Sequence, residues 1–309
     1  MKLLDGKKVA AGIRLQVKQE VAELVKATGV TPELHIILAS DDPASKIYVK
    51  RKLKACDEVG IRGVLKVYDP ASSSHGCKNV SQFIAKLMSE MSIVPNPGLP
   101  KGSLAHGVII QLPIKDLPDP KSLFDLIPPL KDVDVFHPEN VGKLMQGRPL
   151  YKTCTPYGIM RLLSNYGIDV CGKTVCIIND SDIVGRPLSM MMTDAGASVT
   201  ICHKRTDPID LKYAAYDADI VVVAVGIPGF LTSDMVHTGS IVVDVGINRL
   251  PDGTIVGDVH PGVFEIAGWI SPVPNGVGPM TICSLLSNTV LAAKLQIQGY
   301  SIKENKLEF

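Results

Sequence analysis

The chain has 309 residues, 46% of them hydrophobic and 20% charged, a balance that belongs to folded globular proteins and excludes disordered, fibrous and low-complexity classes. Its 32 basic side chains against 31 acidic ones leave a formal charge of +1, so no field draws the chain to nucleic acid or an anionic membrane, and a small molecule is the expected partner. Its 7 cysteines, odd in number and without a C-x-x-C pair, suggest neither a disulfide framework nor a zinc site, and no metal is expected.

The start, MKLLDGKKVAAGIRLQVKQE, lacks the apolar stretch of a leader and turns acidic early, so a cytoplasmic location is expected. Helical and extended patterns then alternate: a helix over 7–28, strand ELHIILAS at 33–40, a helix over 43–59, a strand over 62–68, a helix over 77–91 and strand HGVIIQLP at 106–113. Such alternation predicts a parallel sheet covered by helices. Between the last two elements IVPNPGLPKGS (93–103) reads as a surface loop, because its prolines and glycines forbid regular structure. Residues 128–156 break the rhythm and mark the passage into a second domain. A second series follows: strand KTVCIIN (173–179), loop DSDIVGRP, a helix over 187–196, and strands over 198–203, 218–225 and 239–246. That is the rhythm of a Rossmann-type nucleotide-binding half. From Pro279 to about Gln298 the tail reads as a helix that packs back on the first domain. Apolar runs such as DIVVVAVGIPGF are too short to span a bilayer. The expected fold is therefore α/β, with two domains around a cleft: 1–150, joined by a helix over 280–300, and 151–279.

Wound at about 100° per residue, positions 45–59 place Ser45, Tyr48, Val49, Lys52, Ala55, Cys56 and Val59 on one face, and Lys46, Lys50, Arg51, Lys54, Asp57 and Glu58 on the other. The polar face already holds the expected charges, so Lys52 stands alone in the stripe that should be buried. It either snorkels past its neighbours to water or is partly buried and available for proton transfer. Tyr48, one turn earlier, would offer an aromatic face to a flat heteroaromatic ligand.

The stretch DDPASKIYVKRKLKACDEVGI (41–61) resembles the first signature of the methylenetetrahydrofolate dehydrogenase/cyclohydrolase family, in which a tyrosine precedes the catalytic lysine by four positions. The resemblance continues in family order through GVIIQLP (107–113), KDVD (131–134), CTPYG (154–158), IVGRP (183–187), VTICH (199–203), VVDVGIN (242–248) and PVPNGVGPMT (272–281). Any one of these is a weak signal; together they are specific.

The resemblance implies a multifunctional enzyme of one-carbon metabolism, which oxidises 5,10-methylenetetrahydrofolate with NADP and hydrolyses the methenyl product to 10-formyltetrahydrofolate. It assigns Lys52 to water activation, Gln111 to orienting that lysine, Tyr48 to stacking on the folate and Asp134 to binding the pterin. Leu112, Pro113, Pro279 and Thr281 become candidate substrate-side residues. The first domain becomes the folate-binding, catalytic one, and a homodimer through the cofactor domain is implied. The prolines, glycines and asparagine of PVPNGVGPMT suit tight turns and a cis peptide, and plainer readings exist, Asp134 as a loop cap and PVPNGVGPMT as a connecting loop. Asp132 reads as structural.

The cofactor loop departs from the family. IINDSDIVGRP places Asn179 and Asp180 where the family reads glycine and arginine, while Ser181, Ile183, Val184, Gly185, Arg186 and Pro187 keep the rest. That arginine binds the 2′-phosphate of NADP in such enzymes, and Asp180 repels it. The next strand ends in His203, Lys204 and Arg205, which would supply the missing charge; alternatively Asp180 pairs with Lys204 and the site takes NAD. Gly226 and Ile247 complete the candidate cofactor set. Smaller departures are Val135 for a glycine after KDVD, Thr153 for proline before CTP, and Asn275 for the first glycine of PVPGGVGP. Two other readings stand beside this one: an NAD-linked or monofunctional dehydrogenase, and a cofactor-binding regulatory protein that has lost turnover.

Overall fold

The computed structural model describes residues 1–69, 76–90, 105–115, 117 and 119–297; the loop expected at 93–103 and the tail from Gln298 lie outside them. The described chain divides into two compact units, Met1–Ile13 with Lys152–Ser284, and Arg14–Tyr151 with the segment from Leu285 onward.

A two-residue strand, β1 (Lys2–Leu3), precedes the long helix α1 (Gly6–Thr28). Then come β2 (Glu33–Leu38), α2 (Pro43–Val59), β3 (Arg62–Val67), α3 (Val80–Glu90) and β4 (Gly107–Gln111). The three longer strands pair in parallel in the order β3-β2-β4. All six residues of β2 are buried, as expected of a central strand covered on both faces, whereas edge strand β3 exposes Leu65 and Val67. Phe83, Ile84 and Leu87 of α3 close one core with Ile37, Ala39, Val108 and Ile110. The expected helix at 77–91 begins only at Val80, because the Asn79 side chain accepts from the Gln82 amide and stops the helix there. Two short helices, α4 (Lys121–Phe124) and α5 (Pro138–Met145), follow. The sequence reads 128–156 as a break and so hides α5, although Pro138 occupies a first-turn position where no amide is missed.

The amino-terminal ends of β2 and β4 carry a buried polar cluster. The Glu33 amide donates to His106 Nδ1 at 3.1 Å, and Glu33 also contacts His35 and Arg62. Lys131 Nζ donates to the Ala105 carbonyl and to Gln296 Oε1. Burial, helped by the Lys131 ammonium, pulls the His106 imidazole down to about 4, and burial pulls Lys131 down to about 8. A histidine neutral when folded and free to protonate when unfolded makes the unfolded state the better proton binder between about pH 4 and 6.5. Stability from this group is complete above that window and is lost as pH falls through it. His106→Gln should therefore change its stability difference from wild type by about 3 kcal/mol between pH 7 and pH 4 in urea titrations. A pH-independent difference would remove His106 as a titrating group.

The other unit is built from α6 (Cys154–Asn165), β5 (Thr174–Ile178), α7 (Gly185–Asp194), β6 (Ser198–Cys202), α8 (Pro208–Tyr216), β7 (Ile220–Val223) and β8 (Ile241–Asp244). A small antiparallel pair, β9 (Asn248–Arg249) and β10 (Ile255–Val256), then β11 (Trp269–Ile270) and helix α9 (Val277–Ile297) end the described chain. The main sheet runs β1-β11-β8-β7-β5-β6, parallel throughout. Because β6 lies on one side of β5 and β7 on the other, the strand order reverses at β5, and a crevice opens at the carboxyl ends there. The sequence reading groups residues 1–13 with the first domain; in the structure they group with this sheet, since the Lys2 and Leu4 amides donate to Gly268 and Ile270 and Leu4 is fully buried. Two paired residues carry no readable period. One apolar run exceeds the length expected of this sequence: α9, 21 residues with a mean hydropathy of 1.2 over its most apolar 18, is long and apolar enough to cross a membrane. More than half of that stretch is buried in protein, and its Asn288 donates to the Val133 carbonyl, so core packing accounts for its apolarity.

Candidate functional site

The catalytic candidates of the first unit meet at the carboxyl end of β4. Helix α2 is fixed at its start by Asp42, whose carboxylate accepts from the Ala44 and Ser45 amides, and at its end by Gly60 in the left-handed region. This sets the rotation of the helix. Lys52 is 6% exposed, and its Nζ donates to Gln111 Oε1 at 3.1 Å. The same nitrogen lies 4.8 Å from the centre of the Tyr48 ring. Gln111, the last residue of β4, is held in turn by its Nε2 donating to the Leu112 carbonyl at 2.8 Å. The Ser45 hydroxyl lies 2.8 Å from Asp42 and 3.3 Å from the same Leu112 carbonyl, which ties the helix start to the Leu112–Pro113 segment, a cis peptide. Lysine, tyrosine and glutamine are thus one cluster, and Lys52 does not snorkel to water.

The KDVD segment runs parallel to β4, joined where Val108 donates to the Lys131 carbonyl. Its two acids differ sharply. Asp132 is buried and accepts from the Val135, Phe136 and His137 amides and from Asn140 Nδ2, so it shapes the following turn. Burial raises its pKa against those donors. Asp134 is half-buried and, among the described residues, makes no side-chain hydrogen bond, which leaves both oxygens available.

In the other unit the loop after β5 is organised by Asn179. Its Oδ1 accepts from the Ser181 amide and hydroxyl and from the Gly185 amide, and its Nδ2 donates to the Ala224 carbonyl at 2.6 Å across the switch point. Asn179 therefore shapes the loop with every polar atom of its side chain. A Cβ at Gly185 would lie 1.9 Å from the Asn179 carbonyl oxygen, so only glycine starts α7 here. The Val184 amide donates to the Ser181 hydroxyl, and Arg186 pairs with Asp182 one turn earlier, pointing to solvent with Ile183.

A cavity of about 630 Å³ opens beyond the ends of β5, β6 and β7, lined among others by Asn179, Asp180, His203, Lys204, Val225 and Ile227. This is the size and place of a nucleotide site in such a sheet. Asp180, Lys204 and Arg205 are exposed, and among the described residues Asp180 makes no ion pair with Lys204. Arg205 is not part of the cavity lining. Gly226 has φ 71° and donates to Asp258, and Ile247 is 62% exposed on the turn after β8. Pro279 and Thr281 belong to this unit; Thr281 Oγ1 lies 3.1 Å from Thr155 Oγ1, which joins the CTPYG and PVPNGVGPMT segments. Among the described residues no group of three histidine, cysteine or acidic side chains could hold a metal.

Two of the departures have a backbone reason. Val135 (φ 68°) and Asn275 (φ 85°) both occupy the left-handed region, which costs a β-branched valine about 1–2 kcal/mol and which asparagine tolerates better. The Asp132 carboxylate holds Val135 there. Thr153 precedes α6, and its hydroxyl is buried with no partner among the described residues, a cost of about 1–3 kcal/mol that proline would not incur. The sequence reading missed Asp244, Asn248 and Asp258, because an acid inside an apolar run such as VVDVGIN shows no partner until the fold brings one.

Two family models divide the chain between them: tetrahydrofolate dehydrogenase/cyclohydrolase, catalytic domain, over residues 4–134, and its NAD(P)-binding domain over 153–297. The chain is 45% identical over 293 residues to the bifunctional protein FolD of Moorella thermoacetica, covering 94% of this chain and 98% of that one. It resembles the crystal structure of the bifunctional enzyme FolD, methylenetetrahydrofolate dehydrogenase/cyclohydrolase, from Campylobacter jejuni, with a TM-score of 0.85 and 42% identity over 95% of this chain and 99% of that one. It also resembles the Trypanosoma brucei N5,N10-methylenetetrahydrofolate dehydrogenase-cyclohydrolase, solved with NADP and an inhibitor, with a TM-score of 0.83 and 30% identity over 94% and 96% of the two chains. With both domain models in order and relatives matched over nearly their full length, the chain belongs to the tetrahydrofolate dehydrogenase/cyclohydrolase family.

Proposed function

We propose that the chain oxidises 5,10-methylenetetrahydrofolate with NADP and then hydrolyses the methenyl product, using Lys52, Gln111, Tyr48 and Asp134 on the folate and the cavity beyond β5 for the dinucleotide. The observation that carries this reading is the buried Lys52 amine, bonded to Gln111 and lying over the Tyr48 ring. A dinucleotide held in the cavity lined by Asn179, Lys204 and Val225 would supply the acceptor for a hydride from the methylene carbon, leaving the folate as a delocalised methenyl cation. That step needs alignment rather than a strong base. Water then adds to the cation, and its proton must leave. In this reading Lys52, oriented by Gln111, takes it, while Tyr48 supplies a stacking face and Asp134 two acceptor oxygens for the pterin. The bond from the one-carbon unit to N5 then breaks, N5 taking up a proton as the hydroxyl of the adduct gives up its own, and the product is 10-formyltetrahydrofolate.

NADP rather than NAD rests on Lys204, which lines the cavity and offers the positive charge that Asp180 does not. The exposed Asp180 is the observation favouring NAD. The protein is further proposed to act in the cytoplasm as a homodimer through the nucleotide-binding unit, where α8 exposes Ile209, Tyr213 and Tyr216. A monomeric mass across working concentrations would remove that assembly. The activity itself is tested by mixing the protein with methylenetetrahydrofolate and NADP. Reduced dinucleotide should accumulate while methenyl absorbance rises and decays; no reduced dinucleotide with either NADP or NAD overturns the reading in favour of a protein that only binds.

A further inference from the structure

Asp258 is completely buried, and among the described residues it has no ion-pair partner. An unpaired carboxylate survives in such a place only if hydrogen bonds replace the water it has lost. Here Oδ2 accepts from the Val225 amide at 2.6 Å and the Gly226 amide at 2.9 Å, and Oδ1 accepts from Asn248 Nδ2 at 2.8 Å. Asn248 Nδ2 also reaches the Gly257 carbonyl at 3.2 Å. A second buried acid, Asp244, underlies the arrangement: it accepts from the Gly246, Asp258 and Val259 amides. The carboxylates fill the space that side chains would need. A Cβ at Gly246 would lie 2.3 Å from the Asp258 carboxylate, and one at Gly257 would lie 1.8 Å from Asp244.

The place of this lattice in the sheet gives it meaning. Val225 and Gly226 form the turn that leaves β7, and Asn248 follows Ile247 on the turn that leaves β8. Both turns lie at the carboxyl edge, where a parallel sheet binds its nucleotide. The Ala224 carbonyl, the other end of the peptide that carries the Val225 amide, accepts from Asn179. That one peptide is thus gripped at both ends, by the loop after β5 and by Asp258.

We infer that Asp258 is a positioning residue for the dinucleotide: its carboxylate fixes the turn after β7 directly and the turn after β8 through Asn248, so that Gly226 and Ile247 are held in one arrangement. This rests on the proposed use of that edge for NADP. Asp258→Asn keeps the size and leaves one oxygen for the two amides, but turns an NH2 group toward the NH2 of Asn248. Asn248→Ser removes the second link and leaves the carboxylate on the Val225 and Gly226 amides.

The test uses the full-length protein, with NADP dissociation measured by titration, KM and kcat for the oxidation, and hydrolysis of preformed methenyltetrahydrofolate, whose candidate groups lie in the other unit. Asp258→Asn should raise the NADP dissociation constant and KM at least tenfold while hydrolysis stays within about twofold of wild type. Asn248→Ser should move the same two constants in the same direction by less, and exchanging the two side chains, Asp258→Asn with Asn248→Asp, should recover part of the loss by restoring a donor opposite an acceptor. If both activities fall together with the folded fraction, the lattice is only structural and the inference fails. Should Asp258→Asn not fold, Asn248→Ser decides alone: NADP affinity equal to wild type overturns the inference. A wild type that binds NADP and turns over, beside variants unchanged in affinity, refutes this inference and leaves the functional reading standing. A wild type that binds neither dinucleotide refutes both.

Discussion

Lys52→Met is expected to cut hydrolysis of methenyltetrahydrofolate by about 10²–10⁴-fold, the range general-base groups contribute, while the protein stays folded and still binds dinucleotide. The structure gives the reason both halves should hold. The lysine is buried on the inner face of α2 beside Val49, Ala55 and Cys56, so methionine fills similar volume among apolar neighbours. What is lost is the donor to Gln111 and the cation over Tyr48. Gln111 keeps its own bond to the Leu112 carbonyl, so the strand end remains ordered. A buried amine is removed with its partner's oxygen left unpaired, two effects of opposite sign, so the melting temperature should move little. Lys52→Arg serves as the control that separates charge from proton transfer: it keeps a cation near Gln111 but cannot give up its proton at working pH. It should fail in hydrolysis as methionine does. Methenyl absorbance decay measures both, and a methionine variant within tenfold of the wild-type rate would end the assignment.

Replacing Lys204 and Arg205 together by serine is expected to weaken NADP by about 1.5–3 kcal/mol for each charge-assisted bond lost, and to leave NAD nearly unchanged. Lys204 should carry the larger share, because it lines the cavity and Arg205 does not. Asp180 lines the same cavity, and its freedom from any ion pair with Lys204 leaves its charge uncompensated. Asp180→Arg should then tighten NADP further, since it exchanges a repelling carboxylate for a two-pronged donor. The opposing scheme is equally concrete. If the wild type prefers NAD because Asp180 accepts from the ribose hydroxyls, Asp180→Arg weakens NAD and inverts the preference. Dissociation constants for both dinucleotides in wild type and both variants decide, and unchanged NADP affinity in the Lys204/Arg205 double variant rules out the first scheme.

Sequence by itself determined the alternating α/β architecture, because apolar runs and their periods are local consequences of which faces are covered. ELHIILAS reads as a strand, and the stripe from Ser45 to Val59 as a face turned to a core. It also isolated Lys52, since one charge in an apolar stripe is visible without a fold. The loop chemistry at Asn179 and Asp180 was visible as a departure, but its consequence was not: nothing local says that an asparagine will bridge to the Ala224 carbonyl 45 positions away. The short helices α4, α5 and α8 escaped because their prolines punctuate the pattern, and whether a proline ends a helix or begins one depends on the cap before it, as Asp207 shows by accepting from the Ile209 amide. Asp132 already read as the structural acid of KDVD in the sequence, but tertiary structure was needed to show the donors that use it up. Tertiary structure alone assembled the lattice of Asp244, Asn248 and Asp258, placed Met1–Ile13 with the second sheet, and gave Val135 and Asn275 their left-handed backbone. The physical reason is the same in each case. Hydrophobic period is a property of neighbours in sequence, whereas the partner of a buried polar group is fixed only when distant segments are brought within about 3 Å of one another.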